Sequence, residues 1–81
     1  MKLVPEHVIA ARGMLKMTQA QLAEAAGITE VALNRFERGH TEPHQSTLDA
    51  LQTALEQRGI IFINGGKPGV QLDRSKATTP T

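Results

Sequence analysis

The stretch from Thr18 to Gly39, TQAQLAEAAGITEVALNRFERG, decides how this chain is read. It holds two short helical patterns separated by a single glycine, each opened by a threonine. In the first, Gln19 to Ala26, the residues Leu22, Ala23 and Ala26 recur at helical spacing. In the second, Glu30 to Arg38, Leu33 and Phe36 fall on one side, with Glu30, Val31, Asn34, Arg35 and Arg38 on the other. Thr18 followed three residues later by Gln21 is a capping-box pattern. Thr29 is suited to cap the second helix, which stops at Gly39 with Arg38 in its last turn. Gly27 supplies the backbone freedom that the turn between the helices needs.

Two helices joined by so short a Gly-containing turn form a helix-turn-helix, whose second helix can lie in the major groove of DNA. Double-stranded DNA is therefore the first partner to expect.

Working outward, Pro5 fits a first helical turn, and the chain from there to about Leu15 reads as helix. Val8, Ala11, Arg12 and Leu15 follow the amphipathic template, with Ile9 flanking the stripe. Arg12 is the odd member, a charge on a face otherwise meant for burial. His40 to Gln45 is a polar loop containing Pro43. Ser46, with Asp49 three residues on, reads as the cap of a further helix ending near Gly59. Leu48, Leu51 and Leu55, with Ala50 and Ala54 beside them, form its apolar face. After Gly59 the period changes. Ile60 to Ile63 is an apolar run too short for a helix, Asn64 to Gly69 is turn chemistry, and Val70-Gln71-Leu72 alternates, which together predict a β-hairpin. Arg74 to Thr81 lacks periodicity and reads as a disordered tail. The expected organisation is a helical domain over 1–59, a hairpin over 60–73 and a tail over 74–81.

Composition bounds what such a chain can do. Its 81 residues form one core at most. Phe36 and Phe62 are the only phenylalanines and there is no Tyr or Trp, so Leu, Ile, Val, Met and Ala must build that core. With no cysteine there is no disulfide, thiolate metal site or cysteine nucleophile, in keeping with a reducing cytoplasm. No apolar run approaches the roughly 20 residues that span a bilayer, and Met1-Lys2 does not open a signal peptide. The net charge is only +1, far from the basic balance that usually marks a nucleic-acid binder. Between residues 12 and 44, Arg12, Lys16, Arg35 and Arg38 are cancelled by Glu24, Glu30, Glu37 and Glu42.

From about Ile9 to Leu55 the chain resembles the Cro and lambda-repressor-like (XRE) helix-turn-helix regulators. The resemblance rests on Arg12, Thr18-Gln19, Leu22-Ala23, Gly27, Phe36-Glu37-Arg38-Gly39, and Glu42-Pro43 with Ser46-Thr47-Leu48. It implies a mostly α, four-helix lambda-repressor-like DNA-binding domain, here extended by a short C-terminal β-hairpin where many relatives have a fifth helix. Arg12 and Glu37 both fall on faces meant for burial. Left unpaired they would cost on the order of several kcal/mol each, so they are expected to pair with each other, and the resemblance implies the same partly buried salt bridge.

The resemblance also implies that Glu30, Val31, Asn34 and Arg35 point at base edges. Chemistry gives each a task. Arg35 can donate bidentately to guanine, Asn34 can pair with adenine or a phosphate, and Val31 can pack on a thymine methyl. Glu30 can accept from cytosine, or simply sit where the helix dipole favours a carboxylate. Gln19, Arg38, His40 and Thr41, with Lys16, are the expected phosphate contacts, aided by free amides at helix N-termini. His40 and His44 have a spacing that sometimes holds metal, but nothing nearby completes a ligand set, so they read as loop residues. No cofactor is implied, and neither is an enzyme: there is no Ser-His-Asp set or phosphate cradle.

The near-neutral reading face implies weak binding by one copy, and hence a dimer on a palindromic site. The hairpin residues Ile60, Ile61, Phe62, Ile63, Val70 and Leu72 are the expected dimer interface, by strand pairing or by face packing. The alternative is a hairpin folded wholly onto its own domain. Two functional readings follow: a DNA-binding regulator, most simply a cytoplasmic repressor of bacterial or phage origin, or a protein-interaction module such as an antitoxin.

Overall fold

In a computed structural model, residues 2–75 are described. Four helices are followed by a two-stranded antiparallel sheet: α1 Pro5–Leu15, α2 Gln19–Ala26, α3 Glu30–Glu37, α4 Gln45–Glu56, β1 Ile60–Ile63 and β2 Gly69–Leu72. This is the expected mostly helical architecture with a terminal hairpin. Of the expected tail, Arg74 and Ser75 form a turn in which the Ser75 amide donates to the Asp73 carboxylate at 3.0 Å, and residues 76–81 lie outside the described part.

Local chemistry sets most of the helix ends. The Thr18 hydroxyl accepts from the Gln21 amide at 3.1 Å, and the Gln21 side chain accepts from the Thr18 amide at 2.9 Å, completing the capping box. Thr29 accepts from the Ala32 amide at 3.1 Å. Gly27 ends α2 in the left-handed region, at φ 73°. The sharper surprise is Lys16, which adopts φ 57° as the C-cap of α1. A side chain there costs about 1–2 kcal/mol, offset by amide bonds back to Arg12 and Gly13. Helix α4 departs from expectation. It begins at Gln45 with His44 as N-cap, no side chain caps it, and Asp49 accepts from the Gln45 side chain at 2.9 Å. Ser46 therefore lies inside the first turn. Burial of Leu48, Leu51 and Leu55 aligns this helix, and the helix takes up its turn as soon as the chain clears Pro43.

One core runs through all the elements. Val8, Ala11 and Leu15 of α1 meet Leu22 and Ala23 of α2, Leu33 and Phe36 of α3, Leu48, Leu51, Ala54 and Leu55 of α4, and Ile60 of β1, with Leu3 and Met17 closing the gaps. Ile9 is exposed, and His7 is buried in its place at 1% exposure. The ring of His7 is fully bonded: the Val4 amide donates to Nδ1 at 3.2 Å and Nε2 lies 3.0 Å from the Ile63 carbonyl. Because the amide can only donate and the carbonyl only accept, the ring is the neutral tautomer with its proton on Nε2. Phe62 meets it edge to face, the ring centres 5.5 Å apart. His7 thereby fastens the hairpin to α1.

The strands pair Ile60 with Leu72, Ile61 with Gln71, Phe62 with Val70 and Ile63 with Gly69. Alternation then divides the four apolar residues of β1 between two faces. Ile60 is buried in the core of its own chain, and Phe62, Val70 and Leu72 pack partly against that core. Ile61 and Ile63 stay exposed, at 48% and 40%. Of the six hairpin residues expected at an interface, these two alone are exposed.

Replacing His7 by Leu should strand two backbone groups, the Val4 amide and the Ile63 carbonyl, at about 1–3 kcal/mol each. The expected loss of stability in urea is roughly 2–6 kcal/mol, with the hairpin amides losing hydrogen-exchange protection first. A loss below about 0.5 kcal/mol would contradict the fastening role.

Candidate nucleic-acid interface

The interface is built on one ion pair. Arg12 Nε and Nη2 donate to the two carboxylate oxygens of Glu37, both at 2.7 Å. The side chains are only 19% and 4% exposed. Arg12 Nη1 also donates to the Met17 carbonyl at 3.0 Å, so one guanidinium joins α1, the α1–α2 connection and the end of α3. The fork geometry is the strong, orienting kind. The hydrogen bond to Glu37 holds the Arg12 guanidinium above its ordinary pKa; burial pulls it down and the carboxylate charge pushes it up. A raised cationic pKa adds stability that is complete at lower pH and fades only as the pH climbs through the folded value. For arginine that lies far above neutrality, so this term does not vary near pH 7.

The carboxylate holds a third donor, from a second residue. Gln19 Nε2 donates to Glu37 Oε1 at 3.0 Å, and Asn34 Nδ2 in turn donates to Gln19 Oε1 at 3.3 Å. The first residue of α2 and the middle of α3 are thus wired to the core charge. Gln19 and Asn34, expected on the DNA side, and Glu37, expected in the scaffold, are bonded in series, which their spacing in the sequence does not show. The signal was faint: a glutamine opening α2 is as consistent with solvent as with a partner.

Around this frame the expected reading residues distribute unevenly. Val31 is 68% exposed, and Glu30, Arg35 and Arg38 are exposed as well, while Asn34 and Gln19 are half-buried. Glu30 occupies the first turn of α3, where the dipole favours it. Arg38 is the C-cap, and Gly39 turns the chain at φ 74° so that the His40 amide returns to the Arg35 carbonyl at 2.9 Å. Arg35 and Thr41 line one hollow beneath α3, about 250 Å³, whose walls include Ile28, Phe36 and Leu51. Lys16 is exposed on the α1–α2 connection and His40 on the loop after α3. No helix of the described residues is long and apolar enough to cross a membrane.

Comparison with known proteins agrees with the fold. The model of a family described as Helix-turn-helix matches residues 8–58. The chain is 40% identical over 64 residues to Repressor protein C2 of Salmonella phage P22, covering 79% of this chain and 30% of that protein. It is 35% identical over 48 residues to Antitoxin MqsA of Escherichia coli, covering 59% of this chain and 37% of the other. The chain therefore spans well under half the length of these relatives. Among solved structures, the nuclear magnetic resonance structure of the DNA-binding domain of the P22 C2 repressor superposes with a TM-score of 0.61 at 37% identity, over 69% of this chain and 75% of that one.

Removing one partner of the buried pair leaves the other charge uncompensated. Glu37→Ala should cost about 3–5 kcal/mol, measured as the shift of a thermal or urea transition at pH 7. An unchanged transition would show that the pair does not hold the helices together.

Proposed function

The chain belongs to the helix-turn-helix family, and on that premise we propose that it is a sequence-specific double-stranded DNA-binding transcriptional repressor acting as a homodimer on a palindromic operator. The observation that carries this reading is the exposed face of α3, which presents Glu30, Val31 and Arg35 on a helix locked to the core by the Arg12–Glu37 pair. A reading helix must be both exposed and rigid, because base contacts tolerate little play. In the proposed complex Arg35 donates to guanine O6 and N7, Val31 packs on a thymine methyl, and Glu30 accepts from a cytosine amino group. Gln19, Lys16, Arg38, His40 and Thr41 set the register on phosphates.

The dimer follows from charge. With a reading segment of zero net charge, counterion release supplies little affinity to one copy, and two copies on one DNA multiply what each contributes. In this reading residues 1–59 read DNA and residues 60–73 join the subunits, through the apolar outer face that Ile61 and Ile63 leave open. Strand pairing stays available as well, since each strand of a two-stranded sheet has an unpaired edge. The chain would act in the bacterial or phage-infected cytoplasm, on the nucleoid.

A second reading is favoured by the same neutrality together with the similarity to an antitoxin: the fold serves as a protein-interaction module. Selection of bound sequences from random duplex DNA at stated salt separates the two. The repressor reading expects an inverted repeat for the wild type. Arg35→Ala should weaken binding by roughly 1–3 kcal/mol and relax one guanine position per half-site. No wild-type enrichment would favour the interaction module.

The subunit contact has its own test. The double substitution Ile61→Asp, Ile63→Asp should halve the mass seen by light scattering while leaving the helical circular dichroism intact. A dimer that survives both charges would place the contact elsewhere.

A further inference from the structure

The series of side chains linking Glu37 to Asn34 fixes the polarity of each amide along it. Glu37 is nearly enclosed and bonded by two N–H groups of Arg12, so it is a carboxylate, able only to accept. The end of the Gln19 amide that lies 3.0 Å from it must be the NH₂. Turned that way, Gln19 offers its carbonyl oxygen to Asn34 at 3.3 Å, and Asn34 must answer with its own NH₂. The buried charge thus sets one amide, and that amide sets the next. What Asn34 keeps for an outside partner is Oδ1 and one remaining N–H.

An acceptor beside a donor on one planar amide is the complement of the adenine edge in the major groove, where N6–H donates and N7 accepts. It is a poor match for a phosphate, which offers only acceptors and would set an anionic oxygen against Oδ1. We infer that Asn34 reads an adenine in each half-site, and that Gln19 and Glu37 are positioning residues that hold its amide in the adenine-reading sense. The inference rests on the DNA-reading role of α3 proposed above and deepens it, choosing base over phosphate for Asn34. Gln19 retains one N–H of its own, so it can hold Asn34 and touch a phosphate together.

The test is the same selection from random duplexes, run on the full chain for wild type, Asn34→Ala, Asn34→Asp and Gln19→Met, each first checked for folding by thermal melting. Wild type should show an adenine at one position of each half-site. Asn34→Ala should flatten that position, by roughly tenfold in preference, and leave the others unchanged. Asn34→Asp, which offers acceptors only, should move it toward cytosine, whose amino group donates. Gln19→Met should weaken binding to all sequences and also relax the same adenine, which loss of a phosphate contact alone does not do. The inference is overturned if Asn34→Ala leaves every position as in the wild type, or if Gln19→Met lowers affinity uniformly with the adenine intact. In both of those outcomes the wild type still selects an operator, so the DNA-reading role stands. A wild type that selects nothing ends that role and this inference with it. Should Gln19→Met fail to fold, the two Asn34 variants, at a half-buried surface position, still decide.

Discussion

A carboxylate buried to within a few percent of full enclosure is tolerable only with strong partners, and Glu37 has three N–H donors arranged around it. That requirement organises the molecule. To meet it, α1 must bring Arg12 against the end of α3, α2 must begin where Gln19 can reach, and the chain after α1 must turn so that Met17 offers its carbonyl to the same guanidinium. Such a pair adds little net stability over a well-packed apolar substitute. It does impose a unique geometry: an apolar contact tolerates sliding, whereas a bidentate fork does not. In a helix-turn-helix the orientation of the second helix is the functional quantity, and here it is set from beneath by directional bonds.

The distribution of charge has a second consequence. Of the four positive charges between residues 12 and 44, Arg12 is spent inside the fold, leaving Lys16, Arg35 and Arg38 against Glu24, Glu30 and Glu42 on the accessible surface. The outer face of this unit is no more basic than its composition, so the proposed DNA complex rests on placement and, in the proposed dimer, on multiplicity. The hairpin is shaped consistently with that need. His7 and Phe62 bind its inner face to α1, while Ile61 and Ile63 leave apolar surface outside. A strand that commits one face to its own core and keeps the other apolar has a use for a neighbour.

Much of the fold was legible in the sequence because its signals are local. Thr18 with Gln21, Thr29, Gly27 and Pro5 mark helix ends through hydrogen bonds or backbone angles that involve only near neighbours, and the structure repeats them. The start of α4 was misread. Ser46 had a good local capping pattern, but the helix has already begun at Gln45, where the amides of Thr47 and Leu48 return to the His44 carbonyl and Asp49 bonds Gln45 instead. Lys16 in the left-handed region is invisible to propensity, since what demands it is the turn that ends α1 and carries Met17 back to the Arg12 guanidinium.

The candidate site divides along the same line. The side of α3 that stays exposed followed from its period, and the pairing of Arg12 with Glu37 from the fact that two charges on buried faces have few alternatives. The burial of His7 and the bonds from Glu37 through Gln19 to Asn34 were not legible. Each depends on contacts between residues 15 to 56 positions apart, whose meeting is a property of the packed chain. The sequence by itself determined the elements, the caps of α2 and the N-cap of α3, and the identity of the exposed face, since helical period and capping are short-range physics. Tertiary structure alone decided which polar groups are already occupied. A hydrogen bond can be assigned only when both partners have a position, and packing supplies the second one.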